Sequence, residues 1–119
     1  MKKILITGGA GFIGSTLANH LGEEYNLELK CENIIMTCGA AGGLNVIFKS
    51  ILDPGDEVIV FAPFFGEYIN YVKNFDGVVT VISADTNSFQ LNLEELKKKI
   101  SNRTKAIIIN SPNNPSGVI

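Results

Sequence analysis

Glycines at positions 8, 11 and 14 of Thr7-Gly8-Gly9-Ala10-Gly11-Phe12-Ile13-Gly14 stand between an apolar run, Lys3-Ile4-Leu5-Ile6-Thr7, and a stretch of helical periodicity. That spacing suits anion binding. The first glycine permits a tight turn, the second lets backbone approach a pyrophosphate, and the third lets a helix pack against a strand. Amides at the helix N-terminus then present partial positive charge. Gly8, Gly11, Phe12, Ile13 and Gly14 are the candidate contacts to a dinucleotide phosphate. A turn that only joins strand to helix uses the same residues, so spacing alone leaves both readings open. Other chemistry is thin. His20 lies inside the expected first helix without H-E-x-x-H or a cysteine partner, and reads as packed or solvated. Cys31 and Cys38, seven apart and not C-x-x-C, read as a reduced pair. No Ser/His/Asp grouping follows a strand end as a nucleophile elbow, and no metal site is expected. Asn102-Arg103-Thr104 is a glycosylation sequon that matters only with secretion.

The elements that must carry these residues alternate β-branched runs with amphipathic stretches, the signature of a parallel sheet covered by helices. Strands are expected at Lys3–Thr7, Asn33–Thr37, Glu57–Ala62, Gly77–Ser83 and Lys105–Asn110. Helices are expected at Phe12–Glu24, Ala41–Leu52, Phe65–Phe75 and Asn92–Ser101. Asp53-Pro54-Gly55-Asp56 is turn chemistry. Asn92 and Glu95 have capping-box spacing, with Leu93, Leu96 and Ile100 expected to face inward. Glu94–Lys98 and Glu95–Lys99 are i,i+4 pairs, so Lys97-Lys98-Lys99 reads as a solvated face.

Length and composition bound the class. The chain has 119 residues, 45% hydrophobic and 18% charged, which suits one folded domain over residues 1–119 and excludes a disordered or low-complexity chain. A formal charge of −2 gives no electrostatic case for nucleic acid or an anionic membrane as partner. Apolar runs such as Val58–Pro63 fall far below the ~20 residues of a membrane span. The apolar start meets Thr7-Gly8-Gly9 too soon for a secretory segment, and a cytoplasmic location is expected.

Two resemblances follow from the motifs. Residues 1–21, through the T-G-x-x-G-x-x-G pattern, resemble the NAD(P)-binding start of extended short-chain dehydrogenases and epimerases. The Tyr-x-x-x-Lys pair of that family is absent: Tyr25, Tyr68 and Tyr71 are followed four later by Leu29, Val72 and Phe75. The second expected strand ends at Thr37-Cys38, without the charged residue a ribose requires. Residues 22–119 resemble the first half of the pyridoxal-phosphate-binding large domain of fold-type I, class I/II aminotransferases. Glu32–Ala40, Asp53–Val58, Ala62-Pro63-Phe64-Phe65 and Asn110-Ser111-Pro112-Asn113-Asn114-Pro115-Ser116-Gly117 carry that likeness, over roughly four-fifths of the chain. It implies that Gly39, Ala40 and Ala41 hold the cofactor phosphate through backbone amides, that Phe65 stacks on the pyridine ring, and that Asn114 hydrogen-bonds its phenolic oxygen. By themselves these residues read equally as a turn, a core aromatic and a turn.

Pyridoxal phosphate catalysis needs a lysine, a carboxylate at the pyridine nitrogen and an arginine, which the resemblance places beyond the matching residues. The lysines of this chain and Arg103 fall at strand beginnings or within helices, away from the carboxyl edge where ligands bind. Together these readings lead to an expectation: a chimeric, engineered α/β scaffold without enzymatic function. It would be a three-layer α/β/α sandwich with a Rossmann-like, mostly parallel five-stranded sheet of order 2-1-5-3-4. No cofactor is then expected beyond weak binding of NAD(P) or pyridoxal phosphate. A vestigial phosphate or nucleotide binder, and an aminotransferase fragment complemented by a second chain, are the two competing readings. Exposed sheet edges or apolar surface leave a homodimer open.

Overall fold

A computed structural model describes residues 20, 23, 24, 35, 37–83 and 90–118. The chain divides into two compact units, Met1–Ile47 and Phe48–Ile119. The described elements are α1 (Gly39–Ile51), β1 (Glu57–Phe61), α2 (Glu67–Lys73), β2 (Val78–Ile82), α3 (Leu93–Lys99) and β3 (Thr104–Ile107). In the first unit His20, Glu23 and Glu24 are helical, and His20 stands 3.7 Å from Glu24. The expected strand Lys3–Thr7 and the glycine turn that follows it lie outside the described residues. Ile35 and Thr37, from the expected strand Asn33–Thr37, belong to no strand, and Ile35 is exposed.

The sheet of the second unit has three parallel strands in the order β2-β1-β3, where five had been expected. Its order is the 5-3-4 portion of the expected 2-1-5-3-4. The reason is hydrophobic. Glu57-Val58-Ile59-Val60-Phe61 is buried on both faces from Val58 onward, as a central parallel strand must be. Ile59, Phe61 and Ile82 form the core, with Leu96 of α3 packed on it. Phe48 of α1 and Val72 of α2 are also buried. β3 is the less buried strand, and its last expected residues do not continue the ladder beyond the bond from Ile108 N–H to the Ile59 carbonyl.

Local chemistry sets the boundaries. Gly55 occupies the left-handed region (φ +83°) that Asp53-Pro54-Gly55-Asp56 demands, and its N–H donates to the Asp76 carbonyl. Asn92 caps α3 by accepting from Glu95 N–H at 3.0 Å, half of the expected capping box. The other half is not made: the Glu95 carboxylate accepts instead from Ser83 N–H at 3.1 Å and pairs with Lys99 at 2.8 Å. Glu94 pairs with Lys97 rather than with Lys98. Leu93 and Ile100 are exposed, so only Leu96 of the expected inward triplet meets the core.

Glu95 and Lys99 also guard a sheet edge. Val78 N–H donates to the Asp56 carbonyl and Ala62 N–H to that of Ile82, so Val78 and Ile82 bond inward to β1. Val81 and Ser83 therefore face the outer side of β2, since parallel strands alternate. Lys99 Nζ donates to the Val81 carbonyl at 2.7 Å, and Glu95 takes the Ser83 N–H. These bonds satisfy backbone groups that an open edge would offer to another strand.

Two expected outcomes follow from this packing. A Cβ at buried Gly77 would stand 2.7 Å from Val72 Cγ1, 2.9 Å from Leu52 Cδ1 and 3.1 Å from the Val72 carbonyl oxygen. Gly77→Ala is expected to destabilise by about 1–3 kcal/mol through overpacking, read as a lower urea midpoint at unchanged slope. The second concerns acid. The Asp53 N–H, then Lys105 at 3.4 Å, hold Asp56 below its ordinary 3.8, and Lys99, then Ser83 N–H, hold Glu95 below 4.5. Both native carboxyls bind protons less readily than the unfolded chain does, so their contribution is fully present at neutral pH. It is lost as pH falls from about 4.5 through the lower native values. Urea midpoints at stepped pH should fall over that window, and less steeply in Lys99→Met.

Candidate functional site

The carboxyl edge of the sheet opens into a cavity of about 210 Å³. Its walls come from Val60, Phe61 and Ala62 at the end of β1, Ile108 to Ser111 after β3, and Phe64, Tyr68, Leu91, Asn113 and Val118. Parallel strands end here together, and the loops leaving them diverge, which leaves a crevice where ligands of such sheets bind. The cavity is mostly apolar, with amide and hydroxyl groups at its rim, and is roomy enough for one aromatic ring.

Aromatic side chains build one wall because the Ala62-Pro63-Phe64-Phe65 loop runs straight into α2. Phe64 and Tyr68, four apart, stack with rings 6.5 Å apart and 12° from parallel. Phe65 meets Tyr68 edge-on at 5.8 Å and 75°, and Tyr71 lies 6.5 Å from Tyr68. Burial, reinforced by Tyr71, pushes the Tyr68 phenol above its ordinary 10.0, so it stays a neutral donor at working pH. The Asn110–Val118 loop builds the opposite rim. Asn113 Nδ2 donates to the Pro63 carbonyl at 2.9 Å and to Ser116 Oγ at 2.7 Å, tying the two loops together.

Expected site residues are placed as follows. Gly8, Gly11, Phe12, Ile13 and Gly14 lie outside the described residues. Gly39 opens α1 at φ +67°, with no atom within 4 Å of where a Cβ would stand. Ala40 and Ala41 follow, exposed, in the first turn. Helix geometry leaves the first amides of that turn without intrahelical acceptors. α1 has no acidic residue there, whereas α2 carries Glu67 and α3 carries Glu94 and Glu95. Gly39 N–H is engaged, donating to the Thr37 carbonyl at 2.9 Å, and Gly42 N–H donates to the Cys38 carbonyl, so the amides of Ala40 and Ala41 are the ones this first turn can offer an anion. Phe65 is 41% exposed and Asn114 is exposed; neither lines the cavity, but their neighbours Phe64 and Asn113 do. Reasoning from the residues missed Tyr68 and Asn113. The i,i+4 spacing of Phe64 and Tyr68 carried a signal for the first, while Asn113 was hidden in a run of turn residues.

The described cations lie where the strand assignment put them; Lys2, Lys3 and Lys30 lie outside the described residues. Lys105 pairs with Asp56 at the amino end of β1, and the Arg103 guanidinium lies against Gly55. Lys97 and Lys99 are engaged by glutamates of α3. No group of His, Cys, Asp and Glu among the described residues could hold a metal, and no described helix is long and apolar enough to cross a membrane.

Comparison with known proteins recasts the whole chain. The family model for aminotransferase class I and II matches residues 3–119. A probable aspartate/prephenate aminotransferase of Aquifex aeolicus is 40% identical over 114 residues, covering 95% of this chain and 29% of that protein. The aspartate aminotransferase of Thermotoga maritima is 40% identical over 104 residues, 87% of this chain and 28% of its own length. The crystal structure of Thermotoga maritima aspartate aminotransferase aligns over 97% of this chain and 32% of that one, with TM-score 0.75 and 36% identity. A Thermus thermophilus aspartate aminotransferase variant aligns over 85% and 28%, with TM-score 0.74 and 39% identity.

Four expectations are corrected by these matches. The family match runs through the glycine turn, and nothing supports a separate dehydrogenase-like or NAD(P)-binding portion, so the chimera does not stand. The engineered scaffold without function falls too, because relatives at about 40% identity are named aspartate aminotransferases. So does the expectation that this is no enzyme: those relatives are enzymes, and the lack of a suitably placed lysine here argues nothing when the chain spans under a third of their length. The expectation of no cofactor falls with it, since aminotransferase chemistry is that of pyridoxal phosphate. Across residues 3–119, the chain belongs to the class I and II aminotransferase family.

Proposed function

We propose that this chain forms the cofactor-binding part of a pyridoxal-phosphate-dependent aminotransferase that takes aspartate as amino donor. The observation that carries the reading is the match of the family model over residues 3–119; the crevice at the carboxyl edge of the sheet is walled by Phe64 and Asn113, the sequence neighbours of Phe65 and Asn114. The residues present fit the group. An exposed first turn at Gly39, Ala40 and Ala41, free of acid, suits a phosphate; an aromatic face at Phe65 suits a pyridine ring; the exposed amide of Asn114 suits a phenolic oxygen. When bound, the cofactor supplies an aldehyde that condenses with amines and a ring that accepts electron density.

What the chain's own residues do follows from their chemistry. The amides of Ala40 and Ala41 in the first turn of α1 would offset the phosphate charge, and the helix dipole would add to their field. Phe65 holds the ring by its face, excluding water from one side. The Asn114 amide would donate to the phenolic oxygen, a bond that favours that oxygen's ionised form. Aspartate as substrate is supported by the names of the relatives.

The test is a coupled assay on the purified protein with pyridoxal phosphate, aspartate and a 2-oxo acid, alongside titration of the cofactor absorbance. Saturable cofactor binding is expected of this chain, and amino transfer from aspartate of the full-length aminotransferase that contains it. No saturable signal at millimolar cofactor would overturn the reading, and transfer from other amino acids only would overturn the substrate.

A further inference from the structure

We infer that Asn113 is a positioning residue that sets the spacing between the ring-facing Phe65 and the amide of Asn114. For its chemistry the inference rests on the cofactor reading above; for its geometry it does not. Asn113 is partly buried and uses both hydrogens of one side-chain amide, toward the Pro63 carbonyl at 2.9 Å and Ser116 Oγ at 2.7 Å. A carbonyl can only accept, so the NH₂ end must be the one that faces Pro63. Its main chain is fixed as well: Asn113 N–H donates to the Val118 carbonyl at 2.8 Å, and its own carbonyl accepts from Gly117 N–H.

The bond to Pro63 spans fifty residues of sequence and joins the loop after β1 to the loop after β3. Pro63 stands two residues before Phe65, and Asn113 stands next to Asn114. One amide thus links the segment bearing the ring face to the segment bearing the phenolic-oxygen donor. Among the described residues neither Phe65 nor Asn114 hydrogen-bonds to the opposite loop, so the latch is what relates them. Reacting groups must be held to within a fraction of an ångström for orientation to count.

The experiment compares Asn113→Ala, Asn113→Asp and Ser116→Ala with the parent protein. Aspartate keeps the shape but cannot donate to a carbonyl, and it provides the same readout should alanine lower stability too far. In cofactor-free protein, hydrogen exchange should quicken at least tenfold in both segments, 64–69 and 113–118, for the two Asn113 variants. For Ser116→Ala, which keeps the Pro63 bond, it should quicken in 113–118 alone. With pyridoxal phosphate, both Asn113 variants should bind at least tenfold more weakly, and at saturation should lose most of the visible circular dichroism that a rigidly held cofactor shows. A merely structural residue would lower the melting temperature and leave that dichroism unchanged. Quickened exchange confined to 113–118 in the Asn113 variants, or full dichroism at saturation, would overturn the inference. If the parent protein binds no cofactor, the exchange result still decides the latch, and the proposed function fails separately.

Discussion

Ile59→Ala is expected to lower the unfolding free energy by about 2–5 kcal/mol, the range for removing a fully buried aliphatic side chain. Ile59 has no exposed surface, lies in the middle of the central strand, and packs with Phe61, Ile82 and Leu96. Its neighbours on β2 and β3 are locked by two parallel ladders, so the strands cannot close in on the void. Domains are stable by only about 5–15 kcal/mol, so the variant should sit near the edge of folding. Denaturant unfolding followed by circular dichroism measures this. A change under ~1 kcal/mol would mean that the core lies elsewhere.

Ala41→Asp should move stability and cofactor affinity in opposite directions. A carboxylate in the first turn of α1, which has none, favours the helix by about 0.3–1 kcal/mol through the dipole. The same charge would oppose a phosphate held at Gly39–Ala41. Two unit charges 4 Å apart repel by about 4 kcal/mol at an effective dielectric of 20, and even half of that exceeds the ~1.4 kcal/mol of a tenfold change. Affinity for pyridoxal phosphate should therefore drop at least tenfold, with part of the loss recovered at high salt. Thermal melts and cofactor titrations on the same preparation give both signs. Unchanged affinity would remove the phosphate from this helix.

Much of the second unit was legible because its signals are local. Val58 to Phe61 could only be a doubly buried strand, Asp53 to Asp56 could only turn, and Asn92 announced the start of α3. The relative order of the three described strands agrees with the order that the aminotransferase resemblance and right-handed crossovers together implied. What misled was weakly specific. Glycines spaced as Gly8, Gly11 and Gly14 satisfy any strand-to-helix turn, and so short a motif suggests a second ancestry that the family match over residues 3–119 does not support. Likewise, the helical period placed Leu93 and Ile100 inward, but a seven-residue helix turns only its middle, Leu96, to the core.

The site was legible in parts. Gly39 carried its positive φ in its identity, and the helix begins there rather than at Ala41 because the residue tolerates that entry. Tyr68 announced itself only through its i,i+4 spacing from Phe64, and Asn113 was not legible, since its role depends on loops that meet only once the sheet is formed. Asn113 finds Pro63 fifty residues away, a pairing that no local pattern encodes.

A crystal structure of the protein grown with pyridoxal phosphate tests the central claim most directly. The ring face is expected against Phe65, with the phenolic oxygen within reach of Asn114 Nδ2. A cofactor seated away from those residues, or held instead at the Gly8–Gly14 turn, would contradict it.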